Sequence, residues 1–409
     1  MLDFTEEQKL AQSAIRGWCA QRLEPQVLGM EAGTVDIYPV MREMAATFGI
    51  ADMARATFGK MKAKAEAASG GASSPDTSMS RSRGDAGSSA LMAILMMELS
   101  RVCPGFALAF GASLGLFGGA VMAKGTPEQK ERWALPVLTM ERIGAWGLTE
   151  PGAGSDAFGS MRTHARKADG GYRISGSKTF ITNAPFADVF VIYARMVGDG
   201  SEPGDIRAFI VDRAASPGLT TSAPFKKMGM HASPTGEVFL DDVLCPADQL
   251  IGGERAENAR SAAKASLSNE RFGMTPMCLG ILDRCLEESV KYAKQREQWG
   301  KPIATFQLVQ EKIARMYTAR SITHALLMRQ LEAERSGVAL KGEEASATKL
   351  YCARITTECA MEAVQLMGGA GYMTGSVVEM LARDAKLFQI GGGTDEIQML
   401  RIAREVLST

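Results

Sequence analysis

The hydrophobic period of this chain changes twice along its length, and that double change limits the folds open to it. From the amino terminus to about residue 128, apolar residues recur at three- and four-residue spacings between Gly and Pro breaks, the pattern of amphipathic helices. From about residue 142 short β-rich runs take over. GYRISGSKTFITN, DVFVIYARM, IRAFIVDR and TGEVFLDDVLCP are separated by Gly, Pro and Asp turns, which predicts a small all-β unit. After DQLIGG the helical period returns and holds to the carboxyl end. With 409 residues there is room for two or three compact units. The expected fold is α+β and multidomain, with a helical unit at 1–128, a middle β unit at 129–247 and a helical bundle at 248–409.

Within the first unit, residues 69–89 (SGGASSPDTSMSRSRGDAGSS) hold almost no large apolar side chain except Met79, so a solvated loop is expected there. ALMAILMMELSRVCPG follows as a buried helix. The opening MLDFTEEQKLAQSAIRGWCAQRLEP reads as an amphipathic helix with Thr5 and Glu6 near its start, without the charged and apolar regions of a signal peptide, and the apolar runs fall short of a membrane span. In the third unit, Phe272, Leu279, Leu282, Leu286 and Ala293 mark one helical face, widened by Met274, Cys278, Ile281 and Val290. A helix this apolar is buried among others, as in a bundle.

Composition narrows the function. Lys plus Arg total 46 and Asp plus Glu total 46, so nothing electrostatic recommends nucleic acid or an anionic membrane as partner. Seven scattered cysteines without a CxxC pair weaken both a disulfide framework and a zinc site, which points to a reducing, cytoplasmic compartment and no metal. Cys278/Cys285 and Cys352/Cys359 are spaced for same-face core packing. Three distant histidines (His164, His231, His324) leave little for a His-based triad.

The stretch LFQIGGGTDEIQML places Gly391, Gly392 and Gly393 directly before a polar cap. Glycine loses the most conformational entropy on folding, so a triplet is expected where backbone approaches a ligand closely or takes positive φ. A plain helix-entry turn, with Thr394 as N-cap and Glu396 in the first turn, is compatible with this.

WGLTEPGAGSD (146–156), KTFITN (178–183), GMHASPTGEVFLDDV (229–243), RDAK (383–386) and GGTDEIQ (392–398), in this order and spacing, resemble the acyl-CoA dehydrogenase family from end to end. The resemblance implies a central antiparallel β-barrel or sandwich between an N-terminal helical domain and a C-terminal four-helix bundle, one FAD per subunit, and usually a homotetramer. It also implies removal of the α-proton of an acyl-CoA thioester, passage of the β-hydride to flavin, and an electron-transfer flavoprotein as partner. An α-C–H beside a thioester is a weak acid, so such chemistry requires a base together with donors that stabilise the enolate-like oxygen.

Many relatives place the base, a Glu, where this chain has Gly392. The isovaleryl-CoA and long-chain branches carry it instead on the helix before an R-x-x-W/F-G motif, which here is Glu270 in SLSNERFGM. The resemblance therefore assigns Glu270 as base and the Gly392 N–H as a donor to the thioester oxygen. Gly391 replaces a Tyr of straight-chain relatives, which favours short, branched or bulky acyl groups, and Gly393 completes the substrate-side loop. Arg271 corresponds to a residue holding the CoA side. Trp146, Leu148, Thr149 and the turn to Ser155 correspond to flavin and substrate contacts. Phe180, Ile181 and Thr182 continue the flavin register, Phe180 replacing a common Trp. Arg296, Trp299, Gln307, Gln365 and Gly369 correspond to residues reaching the FAD of a neighbouring subunit, and Thr394 and Glu396 to contacts after the glycines.

Three departures stand out. Ser268 replaces a usual Asp, Pro276 lies in the helix that carries Glu270, and the Ser-rich insertion replaces the family's usual stretch near residue 57. Other readings keep the fold but change the chemistry: an acyl-CoA reductase, a desulfinase-like lyase, or an enzyme acting on a carrier-protein-bound acyl group. A non-catalytic partner subunit is a further class. A dinucleotide-binding fold fits poorly, because GAGSDA does not follow a parallel first strand.

Overall fold

A computed structural model of the chain describes residues 3–69, 85–198, 205–253, 258–338 and 340–408. Helices occupy the chain from Glu6 to Leu138, strands from Gly144 to Pro246, and helices again from Arg260 to Leu407. The first helix, Glu6–Trp18, begins at a capping box in which Thr5 and Gln8 satisfy each other's backbone. The loop expected at 69–89 is helical at both of its ends. Ser69 ends one helix, the next begins at Asp85, and residues 70–84 lie outside the described residues. The helical run Pro104–Lys124 corrects a second expectation, since it is long and apolar enough to cross a membrane. Its side chains are spent on the core instead: Phe106, Phe110 and Phe117 are fully buried.

Among the described residues, the strands of the middle unit are β1 (Gly144–Gly147), β2 (His164–Ala168), β3 (Gly171–Thr182), β4 (Val189–Met196), β5 (Ile206–Asp212), β6 (Leu219–Thr221) and β7 (Thr235–Pro246). They form one curled sheet. β5, β3, β7 and β6 pair antiparallel with their neighbours, whereas β1 and β2 both lie parallel to β4. The sheet is thus mixed rather than wholly antiparallel, because long crossovers rather than hairpins bring β1 and β2 to β4. Cys245 on β7 directs its thiol to the Ile210 carbonyl on β5 at 3.4 Å although the two strands do not pair, so the sheet closes back on itself. β4 is continuous Val-Phe-Val-Ile-Tyr-Ala and fully buried on both faces, as expected of a central strand.

In the third unit the helices Arg260–Gln295, Gln307–Ser336, Gly342–Met367 and Asp395–Leu407 make the bundle. Cys278, Cys285, Cys352 and Cys359 are buried on their facing sides. Two family-like motifs turn out to join the units. Gly229 packs so closely on Arg383 that a Cβ there would lie 2.5 Å from its backbone carbon. The Met230 N–H donates to Asp384 Oδ1, and Arg383 donates to Glu31 Oε2 at 3.2 Å. The first, middle and third units meet at this point, and burial pushes the Asp384 carboxyl up to about 7. Asn183, closing β3 at φ +67, is a second joint: it accepts from the Tyr38 hydroxyl at 3.0 Å and donates to the Ala109 carbonyl at 2.8 Å.

Candidate active site

Glu270 sits in the third turn of the 36-residue helix Arg260–Gln295. That helix runs unbroken through Pro276, whose ring removes one backbone donor without ending it. Burial pushes the Glu270 carboxyl up to about 7 against the opposing pull of Arg271 and Lys349. A carboxyl in that range is half ionised near neutral pH, where a base for a weak C–H acid is most effective.

The glycine loop faces this carboxyl. Gly392 takes φ +62 and Gly393 φ +92, conformations that a side chain disfavours. A Cβ on Gly392 would lie 3.6 Å from the Glu270 carboxyl carbon and 2.7 Å from Met274 Cε. The sequence-assigned base and the sequence-assigned donor are therefore brought together, with the Met274 thioether packed beside both. Gly391 differs: its backbone is outside the positive-φ region, and a Cβ there would meet Leu387 O at 3.5 Å and Met274 Cε at 3.7 Å, ordinary contacts. No acceptor among the described residues takes the Gly392 N–H.

Thr394 caps the following helix through Ile397 N, and Glu396 is exposed in its first turn. Arg271 is buried and donates from Nε to the Gly392 carbonyl at 3.1 Å, an internal contact that the resemblance did not supply. Gln398 and Lys349 donate to the same loop. Neither was singled out from the sequence. For Lys349 a signal existed: it occupies the buried face shared by Ser346, Cys352, Ala353 and Thr356, where a lysine needs a partner.

A second cluster forms around a bulge in β3. The register against β7 shifts between Lys178 and Ile181, and Phe180 takes φ +58 within that bulge. Its ring is 69% exposed and touches Phe225 edge to face at 6.0 Å between centroids. Ile181 is buried and Thr182 half-buried behind it. The turn after β1 lies alongside: the Thr179 N–H donates to the Thr149 carbonyl at 2.9 Å, Leu148 is buried, and Ser155 is exposed. Trp146 is held by its indole N–H on the Tyr193 hydroxyl at 3.3 Å.

What fixes this second cluster was not read from the sequence. Lys178, fully buried, donates to Glu150 Oε1 at 2.8 Å and to the Leu148 carbonyl at 3.2 Å. Glu150 also accepts from the backbone of Arg162 and Thr163. Desolvation pulls the Lys178 ammonium down to about 8, while the Glu150 carboxyl stays below its ordinary value because Lys178 and the backbone donors outweigh burial. The charged residues inside KTFITN and LTEPG were the available signal.

A third group lies elsewhere. Arg296, Trp299, Gln307, Gln365 and Gly369 are all exposed and ring a small core of Ala293, Ile303 and Leu366 at one end of the bundle. Trp299 is 86% exposed, at φ +52, with its ring edge to face on Phe306. Glu270 and Arg296 stand 26 positions apart along one helix and its cap, about 39 Å at the helical rise of ~1.5 Å per residue. One chain does not bring this group to the Glu270 site.

The chain matches three family descriptions in succession: acyl-CoA dehydrogenase N-terminal domain over residues 5–141, middle domain over 145–243 and C-terminal domain over 260–407. It is 34% identical over 313 residues to the mitochondrial isovaleryl-CoA dehydrogenase of Arabidopsis thaliana, covering 76% of this chain and 75% of that one. It is 35% identical over 314 residues to the 3-(aryl)acrylate reductase of Clostridium sporogenes, covering 76% and 81%. Its structure resembles that of a glutaryl-CoA dehydrogenase from Mycobacterium smegmatis in complex with FADH2, with a TM-score of 0.83 and 26% identity over 99% of this chain and 96% of that one.

Proposed function

Since this chain belongs to the acyl-CoA dehydrogenase family, FAD-dependent oxidoreductases, we propose that it desaturates an acyl-CoA thioester, bearing a short, branched or bulky acyl group, between its α and β carbons. The observation that carries the reading is the convergence of the Glu270 carboxyl on Gly392. Glu270 takes the α-proton, and the Gly392 N–H donates to the thioester oxygen as charge gathers there. One such donor contributes roughly 3–4 kcal/mol in the transition state. Met274 lines the loop side of the site, its Cε 2.7 Å from where a Gly392 Cβ would stand. Arg271 serves substrate binding through the loop, by fixing the Gly392 carbonyl.

When bound, FAD supplies the acceptor for the β-hydride. The residues present fit it. Phe180 offers an exposed aromatic face, Thr149 to Ser155 form a turn beside it, and Gly152 and Gly154 have open space where a Cβ would stand. Arg296, Trp299, Gln307, Gln365 and Gly369 serve the cofactor of a neighbouring copy in a homotetramer, which explains why exposed residues lie so far from Glu270. Electrons leave to an electron-transfer flavoprotein.

The test is anaerobic titration of the yellow protein with isovaleryl-, isobutyryl-, octanoyl- and aryl-acyl-CoA while the flavin bands are followed. Rapid bleaching by one thioester, lost in Glu270→Gln, is the expected result. FAD that dithionite reduces and no thioester bleaches would end the reading. A second reading, reduction of a 2-enoyl thioester by the same groups in reverse, draws on the relative named as a 3-(aryl)acrylate reductase. It expects the reduced protein to be reoxidised by an enoyl thioester faster than the acyl thioester bleaches the oxidised form.

A further inference from the structure

Donors from three helices converge on two successive carbonyls of the glycine loop. Gly392 O accepts from Arg271 Nε at 3.1 Å and Gln398 Nε2 at 3.1 Å, and Gly393 O accepts from Gln398 Nε2 at 3.0 Å and Lys349 Nζ at 2.8 Å. Lys349 is 1% exposed and Gln398 wholly buried. On the other side, the Gly391 N–H donates to Leu387 O at 2.8 Å. The peptide that carries the Gly392 N–H lies between these fixed points. Three glycines in a row would otherwise let that peptide turn, since none has a Cβ to restrict it.

We propose that Lys349, together with Gln398, is a positioning residue: it locks the glycine loop so that the Gly392 N–H keeps its aim at the thioester oxygen. The inference rests on the dehydrogenation reading. Burying an ammonium group is unfavourable without partners, and Lys349 has two: the Gly393 carbonyl and Asp395, whose Oδ1 lies 3.7 Å away. Nothing in ordinary helix packing calls for a lysine at that place on a buried face. Lys349 also acts on the base, because its charge pulls the Glu270 carboxyl down while burial pushes it up to about 7. The other charged and titratable groups facing the pair are Arg271, Arg401 beside it, Asp395, Arg354 on Asp395, and the Cys278 thiol.

Three variants of the holoenzyme separate position from charge: Lys349→Met, Gln398→Leu and Lys349→Arg. Hydrogen exchange of the peptide spanning 387–398 reads the loop without any substrate, and both Lys349→Met and Gln398→Leu are expected to speed it by about tenfold or more. With the thioester that bleaches the wild type, both are expected to slow limiting flavin reduction by roughly 100-fold, with binding weakened far less. Only Lys349→Met is expected to move the acid limb of the pH–rate profile upward, because Gln398 is neutral. Lys349→Arg, which keeps charge and donors, is expected to recover most of the exchange protection.

Unchanged exchange in both variants, or a loss expressed wholly as weaker thioester binding, overturns the proposal. A wild-type protein that no thioester bleaches defeats the dehydrogenation reading, and the exchange measurement then still decides whether Lys349 holds the loop.

Discussion

The glycine loop at 391–394 and the β3 bulge at Phe180 both put backbone into the left-handed region, and they obtain rigidity in opposite ways. Gly392 at φ +62 has no steric objection to that conformation and nothing local to enforce it. Its order comes from outside, through Arg271, Lys349 and Gln398. Phe180 at φ +58 bears a strain of roughly 1–2 kcal/mol, the usual cost for an L-residue there. It is held by the β ladder and by the buried Lys178–Glu150 pair beneath it. On the proposed dehydrogenation, the end assigned to proton transfer needs bare backbone at close range, and the end assigned to the cofactor needs a side chain presented outward. Each requirement selects a different means of stiffening.

Substitutions test that division. Glu270→Gln should act on the loop end alone, slowing thioester-driven flavin reduction by about 10²–10⁴-fold, the usual contribution of a general base, with FAD content unchanged. A loss smaller than tenfold in stopped-flow traces would move the base elsewhere. Lys178→Met should act on the bulge end by leaving Glu150 buried without its counterion, costing about 3–5 kcal/mol in denaturant melts and loosening FAD. Adding Glu150→Gln should recover much of that stability. A single variant as stable as the wild type would show that the ion pair does not brace the bulge.

Within the loop, Gly392→Ala is expected to lose about 1–2 kcal/mol from its φ alone, and more from displacing Met274 Cε, 2.7 Å from the new methyl. Gly391→Ala, with ordinary contacts and no positive φ, should stay within about 1 kcal/mol of the wild type. Equal losses at the two positions in urea melts would contradict the geometry. At the bulge, Phe180→Gly relieves strain while removing the Phe225 contact, so stability should change by less than about 1 kcal/mol even as FAD affinity falls.

A pH dependence should appear with two opposed signs. As a base Glu270 must be ionised, so flavin reduction should fall as pH drops below about 7. Stability runs the other way. A carboxyl whose folded pKa is raised contributes stability fully below its ordinary value of 4.5 and loses that contribution as pH rises through about 7. Glu270→Gln should therefore flatten this part of the stability curve between those limits. An unchanged slope in melts across that range would place the Glu270 carboxyl in water.

The sequence carried the order of units, four of the principal strands and the pairing of Glu270 with the glycines. β2 escaped because His-Ala-Arg-Lys-Ala has no apolar alternation to distinguish it from a turn. The parallel pairings of β1 and β2 with β4 escaped because register across a long crossover leaves no local trace. At the site, the missing residues were those that act on backbone. Lys349 and Gln398 lie 44 and 5 positions from the carbonyl at Gly393, and neither spacing forms a motif. Motifs report where side chains meet ligands more readily than where they hold the main chain. The reverse also occurred, since RDAK and the start of GMHASP proved to be a joint between units.

The vacant Cβ place of Gly392 lies 3.6 Å from the Glu270 carboxyl carbon, so a side chain grown there would enter a site whose negative charge the helix already supplies. A carboxylate can enter it from the helix or from the loop. Both at once would set like charges side by side, and one of them would stay protonated. Exchanging one origin for the other therefore takes two substitutions, with an intermediate that holds either no carboxylate or two, and a side chain on the loop must also displace Met274 Cε.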